Sequence, residues 1–156
     1  MPLSPAAPRE HIHHRAILCY GYHRQDGLWD IEGHLVDTKS YAFVNRERGE
    51  IKPGEPVHEM WLRLTVDDEL VVQDIEAATD ASPFSICGDI REQFKQLRGV
   101  QIGRGWRRKV NQVLGGVKGC THLVELLGPV ATTAFQTIYP IKSRRKDAQP
   151  SGKKPP

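Results

Sequence analysis

The feature of this sequence that most constrains its fold is a change of hydrophobic period near residue 79. Before that position, apolar and polar residues alternate, as in RAILCYGYHR (15–24) and LWDIEGHLVDTK (28–39), and this alternation is typical of strands. After it, apolar residues recur every three or four positions, as expected for helices. Because the strands come first and the helices later, the order favours an α+β fold over a parallel α/β fold.

The strand patterns pair into two hairpins. Residues 15–24 and 28–39 are joined by turn-forming Gln-Asp-Gly, and residues 60–66 and 70–78 by Asp-Asp-Glu. A polar loop with two prolines and two glycines is predicted between the hairpins, over residues 45–56. The sequence therefore predicts an antiparallel sheet built from two N-terminal hairpins.

About three C-terminal helices are predicted to pack against this sheet. Helical spacing of apolar residues covers 89–97, 106–114 and 121–138. The last segment is the longest and most apolar, and Pro129 is expected to kink or interrupt it. The predicted class is thus α+β, with the last helix covering the buried face of the sheet.

The 156 residues fit one domain of ordinary size. Three prolines within the first eight positions predict a flexible N-terminal arm over residues 1–14, and residues 15–141 form the single domain. Residues 142–156 contain six Lys/Arg, one acidic residue and no large apolar side chain, so a disordered basic tail is predicted there.

Charge and composition restrict the classes of partner. The net charge of +3 lies in the tail, since residues 1–141 hold 16 basic against 18 acidic residues, a balance of −2. A nucleic-acid partner is therefore disfavoured, although the tail could touch an anionic surface. No apolar run reaches the length of a membrane span and no secretory signal begins the sequence, so a cytoplasmic protein is expected. The sequence does not decide whether the protein forms a homo-oligomer.

The segment KGCTHLVELLGP (118–129) gathers reactive residue types at a predicted helix start. Cys120 would sit where unpaired N–H groups lower a thiol pKa. His122 and Glu125 are three residues apart and share a helix face, so the carboxylate could orient the imidazole for acid–base work. Thr121 as a helix cap and Cys120 as a core residue are the alternatives. A Cys120–His122 dyad is disfavoured, because residues two apart do not share a face.

The second predicted strand carries further carboxylates. Asp30 projects from one face and Asp37 from the opposite face. Tyr20 and Tyr22 on the neighbouring strand, with Trp29 nearby, could wall a pocket. The alternative is that these polar groups are simply the solvent face of the sheet.

Three other motifs give weaker signals. The histidines of HIHH (11–14) lack a carboxylate at usual ligand spacing, so no metal site is predicted there or elsewhere. The segment VQIGRGWRR (100–108) lacks the Lys-Ser/Thr ending of a phosphate loop, although its arginines could bind an anion. Asp80, in TDASP, fits an ordinary turn better than an active-site acid.

The three cysteines, Cys19, Cys87 and Cys120, form no CxxC pair and are expected to be free thiols.

Four runs together resemble a family of small bacterial proteins, domain of unknown function 2889, over roughly residues 9–138. These runs are DGLWDIEGHLVDTK (26–39), GEPVHEMWLRLTVDD (54–68), TDASP (79–83) and GCTHLVELLGPVATTAFQTI (119–138). The resemblance implies a lyase reaction on lignin-derived aromatic dimers, in which a phenylcoumaran-type dimer loses its hydroxymethyl group as formaldehyde and becomes a stilbene. Such a reaction needs no metal or organic cofactor.

The implied reaction can be compared with the residues at hand. It needs a base for the alcohol proton, an acid or cation for the departing phenolate, and aromatic walls. The candidate proton carriers are His122, Asp30 and Asp37, with Glu125 and Cys120 beside them, and the candidate substrate-binding residues are Tyr20, Tyr22, Trp29, Lys39 and Arg63. A non-catalytic small-molecule-binding module and a regulatory module acting through the basic tail are the competing functions.

Overall fold

The computed structural model describes residues 3–83, 91–116 and 120–148, apart from the side chain of Arg91. Six strands precede three helices, which confirms the predicted α+β class. The strands are β1 His13–His23, β2 Trp29–Lys39, β3 Phe43–Asn45, β4 Gly49–Ile51, β5 Pro56–Val66 and β6 Val72–Ala81. The helices are α1 Arg91–Phe94, continued by a 3₁₀ turn at Lys95–Leu97, α2 Trp106–Leu114 and α3 Thr121–Ala148.

The main sheet is antiparallel in the order β1-β2-β5-β6, so the two predicted hairpins lie side by side. A second, two-stranded sheet of β3 and β4 occupies part of the predicted loop. Its strands are three residues long, too short to show an alternating pattern. The turn between them is held by Asn45, whose Oδ1 accepts hydrogen bonds from the backbone N–H groups of Glu47 and Arg48.

One face of the main sheet is apolar, and α3 covers it. The sheet contributes buried side chains such as Ile31, Leu35, Met60 and Leu64, and α3 contributes Leu123, Leu126, Val130, Ala134 and Ile138. Together they form the core, as the 3.6-residue period of α3 and the two-residue period of the strands require. The opposite face of the sheet has no helix packed on it in the described part of the chain.

The backbones of α3 and the sheet approach closely at two glycines. A Cβ atom on Gly33 would lie 2.7 Å from Val130 Cγ2, and one on Gly21 would lie 2.1 Å from Thr137 Oγ1. Real Cβ contacts are essentially never shorter than 3.0 Å, so any larger residue would push the helix away. Gly33 and Gly21 therefore allow α3 to pack close to β2 and β1, the strands that carry the candidate site described below.

The last helix is longer than predicted. Pro129 does not interrupt it, and the hydroxyls of Thr132 and Thr133 donate to the carbonyls of Gly128 and Pro129. The helix also continues through Ala148, so residues 142–148 are helical where a disordered tail was predicted; residues 149–156 lie outside the described part.

Ion pairs explain the extra turns of α3. Lys142 Nζ contacts Glu69 Oε1 at 2.5 Å, and the Arg145 guanidinium lies 3.8 Å from Asp68 Oδ2. Composition alone could not show these partners. At the N-terminus, β1 begins at His13, two residues before the predicted start of the domain at residue 15.

The predicted helix over 89–97 is described only from residue 91, and Cys87 lies outside the described residues. Its described part is a short helical turn followed by a 3₁₀ turn, with Phe94 and Leu97 buried. None of the described helices has an apolar stretch of the length needed to cross a bilayer.

Candidate functional site

The candidate site is built around Asp37, a carboxylate near the end of β2 whose side chain is only 1% exposed. Arg15 and Asp37 are direct partners across the β1–β2 ladder, and Asp37 and His58 are direct partners across the β2–β5 ladder. Side chains of such partners lie on the same face of the sheet. The register therefore places a guanidinium, a carboxylate and an imidazole in one row beneath the start of α3.

Arg15 binds Asp37 with both arms of its guanidinium. Nε donates to Oδ1 at 2.7 Å and Nη2 donates to Oδ2 at 2.8 Å. This bidentate geometry is the strongest form of arginine–carboxylate pair. It also fixes the orientation of the carboxylate, which leaves the remaining lone pairs of both oxygens directed towards other groups.

Three histidines surround the same carboxylate. His13 Nε2 lies 3.2 Å from Oδ1, His58 Nδ1 lies 3.2 Å from Oδ2, and His122 Nε2 lies 3.9 Å from Oδ2. The rings of His58 and His122 stack at 3.7 Å between centroids. We call Asp37, Arg15, His13, His58 and His122 the Asp37 cluster.

The electrostatics of the cluster follow from burial and from the neighbouring charges. Burial raises the pKa of Asp37, but hydrogen bonds and charge from Arg15, with help from His13 and His58, outweigh it and hold the pKa below its usual value. Burial lowers the pKa of His58, and the neighbouring His122 lowers it further, against the opposing pull of Asp37. The arrangement favours an ionised Asp37 beside a neutral His58.

The Asp37 carboxylate should make stability depend on pH in the acid range. A carboxyl whose folded pKa is depressed stabilises the fold above its unfolded pKa, about 3.9, and that stability is lost as pH falls through the folded pKa. We expect the urea midpoint to fall more steeply below pH about 4 in the wild type than in Asp37→Asn. The exposed pair of Asp26 and Arg24 gives the control, because solvent screens it and Asp26→Asn should change the steepness less than Asp37→Asn does. Equal slopes in wild type and Asp37→Asn would contradict the assignment.

The spacing on the helix had suggested that Glu125 would pair with His122. In the described part of the chain it does not. Its Oε2 accepts a hydrogen bond from Arg15 Nη1 at 2.5 Å instead, and Asp37 is the carboxylate placed against His122. The guanidinium between Asp37 and Glu125 attracts both carboxylates, and this charge outweighs the proximity of residues 122 and 125 along α3. Glu125 therefore joins the last helix to β1.

A large open cleft lies beside the cluster. Its volume is about 1180 Å³, and residues from β1, α2 and α3 line it. Glu125 lines the cleft and also binds Arg15, so it links the cleft to the Asp37 cluster, whose own members do not line the cleft. Most other lining groups are apolar, and the polar ones include Arg107 and Asn111. Pockets of this character accommodate small organic molecules.

A family model described as "Protein of unknown function (DUF2889)" matches residues 13–136. The chain belongs to this family. The match confirms the resemblance found in the sequence and includes all members of the Asp37 cluster. No curated protein matches the chain, and no solved structure does.

Several residues that the sequence of this DUF2889 chain suggested lie on the other face of the sheet. Asp30 is seven residues from Asp37 and so points the opposite way; its Oδ1 accepts a hydrogen bond from Thr65 Oγ1 at 2.7 Å. Arg63 pairs there with Glu32 and Glu76. The ladder also places Tyr20 and Tyr22 on that face, opposite Glu32 and Asp30. These side chains do not converge with His122.

Trp29 lies on the helix-covered face but at the other end of β2. It is buried, its indole N–H donates to Asp68 at 2.8 Å, and the His23 ring lies against it at 4.1 Å, tilted by 31°. Eight residues of strand separate it from Asp37, a distance of about 26 Å. Trp29 is therefore part of the core near the C-terminal half of α3, away from the cluster.

Cys120 and Lys39 lie closer to the cluster without contacting Asp37 in any described pair. Cys120 is buried just before α3, with Sγ 4.0 Å from Met60 Sδ, so it fits the core alternative considered in the sequence. Lys39 follows Asp37 by two residues, and its Nζ lies 5.5 Å from the ring of Tyr41. Asp80, the remaining sequence candidate, accepts a hydrogen bond from the Trp61 indole.

Sequence reasoning missed the roles of Arg15, His13 and His58 in this site. The prolines at 53 and 56 delayed the predicted start of the third strand to Met60, so His58 was left outside the sheet. In the structure β5 begins at Pro56, which places His58 in the ladder opposite Asp37. The sequence carries little signal for this extension, because Val57 and Met60 are three residues apart and do not continue the alternation of the strand.

Proposed function

We propose that this chain is a lyase that releases formaldehyde from a lignin-derived aromatic dimer of the phenylcoumaran type by acid–base catalysis. The proposal rests on one observation above the others, the position of His122. Its imidazole stacks on His58, lies 3.9 Å from the buried Asp37 carboxylate and is about a quarter exposed, with 27% of its side chain accessible. An imidazole between a buried carboxylate and solvent is the arrangement that general-base catalysis requires.

The proposed reaction is balanced without an oxidant or a reductant. The base removes the proton of the side-chain alcohol, and the bond between the hydroxymethyl carbon and the ring carbon breaks to release formaldehyde. The electron pair of that bond forms the stilbene double bond and expels the phenolate oxygen of the five-membered ring. The phenolate then takes up a proton, so one substrate gives one stilbene and one formaldehyde.

The Asp37 cluster and the neighbouring cleft suggest a division of roles. His122 takes the alcohol proton, and the Asp37 carboxylate stabilises the imidazolium that forms, as a buried carboxylate does beside a catalytic histidine. Arg107, on the cleft wall, provides a cation for the departing phenolate. Trp106 and Phe135 on the same wall offer aromatic surface to a two-ring substrate. The proposal includes the cytoplasmic location that the sequence predicts.

His122→Ala should reduce turnover of a phenylcoumaran-type dimer by about 10²- to 10⁴-fold, the usual contribution of a general base. Formaldehyde is measured with a trapping reagent and the stilbene by its absorbance, so both products are followed in one reaction. Circular dichroism checks that the variant is folded. His14→Ala is the matched control, because His14 is exposed on β1 and the alternation of the strand points it away from Asp37.

Two results would overturn the proposal. Turnover by His122→Ala at a rate near that of the wild type would remove His122 from the chemistry. Binding of the dimers, seen as a thermal shift, with no product from the wild type would instead favour a non-catalytic binding module.

A further inference from the structure

Three members of the Asp37 cluster also bring possible metal-ligand atoms close together. Asp37, His58 and His122 each offer one nitrogen or oxygen, and these atoms all lie within 4.8 Å of one another. Two of the separations to Asp37 Oδ2 are 3.2 Å, from His58 Nδ1, and 3.9 Å, from His122 Nε2. The three residues come from β2, β5 and α3, so only the folded chain brings them together.

These separations are close to those of a metal centre. Zinc bonds of about 2.0–2.2 Å to nitrogen and oxygen place neighbouring ligand atoms of a tetrahedron roughly 3.3 Å apart. The His58–Asp37 pair is already at that separation, whereas His122 Nε2, at 3.9 Å from Asp37 Oδ2, would have to move closer when an ion binds. His122 lies in the first turn of α3 and is partly exposed, so its ring has room to turn.

One donor atom is otherwise unsatisfied. His58 Nδ1 is buried, and within the described part of the chain its 3.2 Å contact with Asp37 Oδ2 does not have the geometry of a hydrogen bond. A buried ring nitrogen without a partner is costly, and such atoms call for an explanation such as an ion. A cation among the three donors would satisfy it.

The groups around the donors match the support that metal ligands receive in proteins. Arg15 and His13 hold Asp37 from the side of Oδ1, and Arg15 also holds Oδ2. Metal-binding carboxylates are commonly held by hydrogen bonds of this kind. The positive charge of Arg15 opposes a cation, but Glu125 pairs with it at 2.5 Å. Asp37 and Glu125 together outweigh Arg15 by one negative charge.

We propose that Asp37, His58 and His122 bind a divalent transition-metal ion, for which zinc has the best-matched preferences. Two imidazole nitrogens and one carboxylate oxygen suit first-row transition metals, whereas calcium and magnesium prefer oxygen ligands. Three protein ligands leave a fourth position open, as in catalytic zinc sites. The inference is separate from the reaction proposed above: with an ion on Nε2, His122 could not also take the alcohol proton, so the acid–base step belongs to the ion-free chain.

The test measures zinc binding to untagged, full-length protein after dialysis against a chelator. Isothermal titration calorimetry with zinc sulfate should give one ion per chain, and saturating zinc should raise the melting temperature. His58→Ala and His122→Ala should each weaken binding by at least about 100-fold, above the 10- to 100-fold cost of changing an outer group. Cobalt in place of zinc should give a visible absorption band that both variants lose.

The matched control removes two exposed histidines near the cluster that could attract a metal. In the double variant His11→Ala/His14→Ala, the two exposed imidazoles of the N-terminal segment are absent while the three proposed ligands remain. One zinc ion should still bind with unchanged affinity. Loss of binding in this control, equal affinity in His58→Ala and the wild type, or no binding by the wild type would each overturn the metal proposal.

The two proposals can fail separately. Zinc binding without formaldehyde release would retain the metal site and reject the lyase. Release of formaldehyde at an unchanged rate by chelated protein that binds no zinc would reject the metal site and retain the acid–base reaction.

Discussion

Replacing Asp37 by alanine is expected to destabilise the fold by about 3 kcal/mol, the lower end of the range for breaking a buried ion pair by removing one partner. The carboxylate accepts both arms of Arg15 and lies within 3.2 Å of His13 and His58. Without it, the Arg15 guanidinium loses its counter-charge, and His13 and His58 lose their contact with the carboxylate. The lower end of the range applies because Arg15 is 35% exposed and can regain water. Urea denaturation of wild type and variant measures the change.

The matched control for this prediction is Asp30→Ala. Asp30 lies on the same strand as Asp37 and carries the same charge, but it points to the uncovered face and interacts with Thr65 and Arg24. Its loss should cost well under half as much as the loss of Asp37. A double variant, Asp37→Ala with Arg15→Ala, should be less destabilised than the sum of the two single changes, because the residues form one pair. Equal effects of the Asp30 and Asp37 changes would contradict the structure.

Gly33→Val is expected to destabilise the fold by about 2 kcal/mol or more, although valine is a better strand residue than glycine. The first added atom would lie 2.7 Å from Val130 Cγ2 and 3.0 Å from Leu126 Cδ1. Both neighbours are buried in the core, so the strain cannot be relieved by moving a side chain into solvent. The variant must therefore shift α3 or distort β2, and thermal and urea unfolding would both report it.

Ala16→Val provides the comparison for the glycine. Ala16 pairs with Val36 across β1 and β2, on the face of the sheet that no described helix covers. Added methyl groups there should have a small effect, with strand preference the main contribution. If Gly33→Val were as stable as the wild type, the close approach of α3 to the sheet would be wrong.

The fold was predictable from the sequence where a periodic pattern was long. Strands such as β2 and helices such as α3 carry ten or more residues of consistent spacing, and both were found. The small sheet of β3 and β4 was missed because three residues do not make a pattern. The final turns of α3 were missed because Lys142 and Arg145 are held by Asp68 and Glu69, acids more than seventy residues earlier.

The site was predictable only in part. His122 and Asp37 were both expected to carry protons, and the structure brings them together. Their partners could not be read from local spacing, because a strand register decides which residues face one another. Arg15 and Asp37 are 22 residues apart, and a shift of the β1–β2 ladder by one position would have pointed one of them to the other face.

Arg15 also joins the first strand to the last helix, since its contact with Glu125 spans 110 residues of chain. Contacts over such separations form late, because the entropy lost in closing the intervening chain must be offset by contacts made first. In a nascent or partly unfolded chain the hairpins can therefore pair before the site is complete. The proposed zinc binding should then be lost when α3 undocks, so binding would report on whether folding is complete.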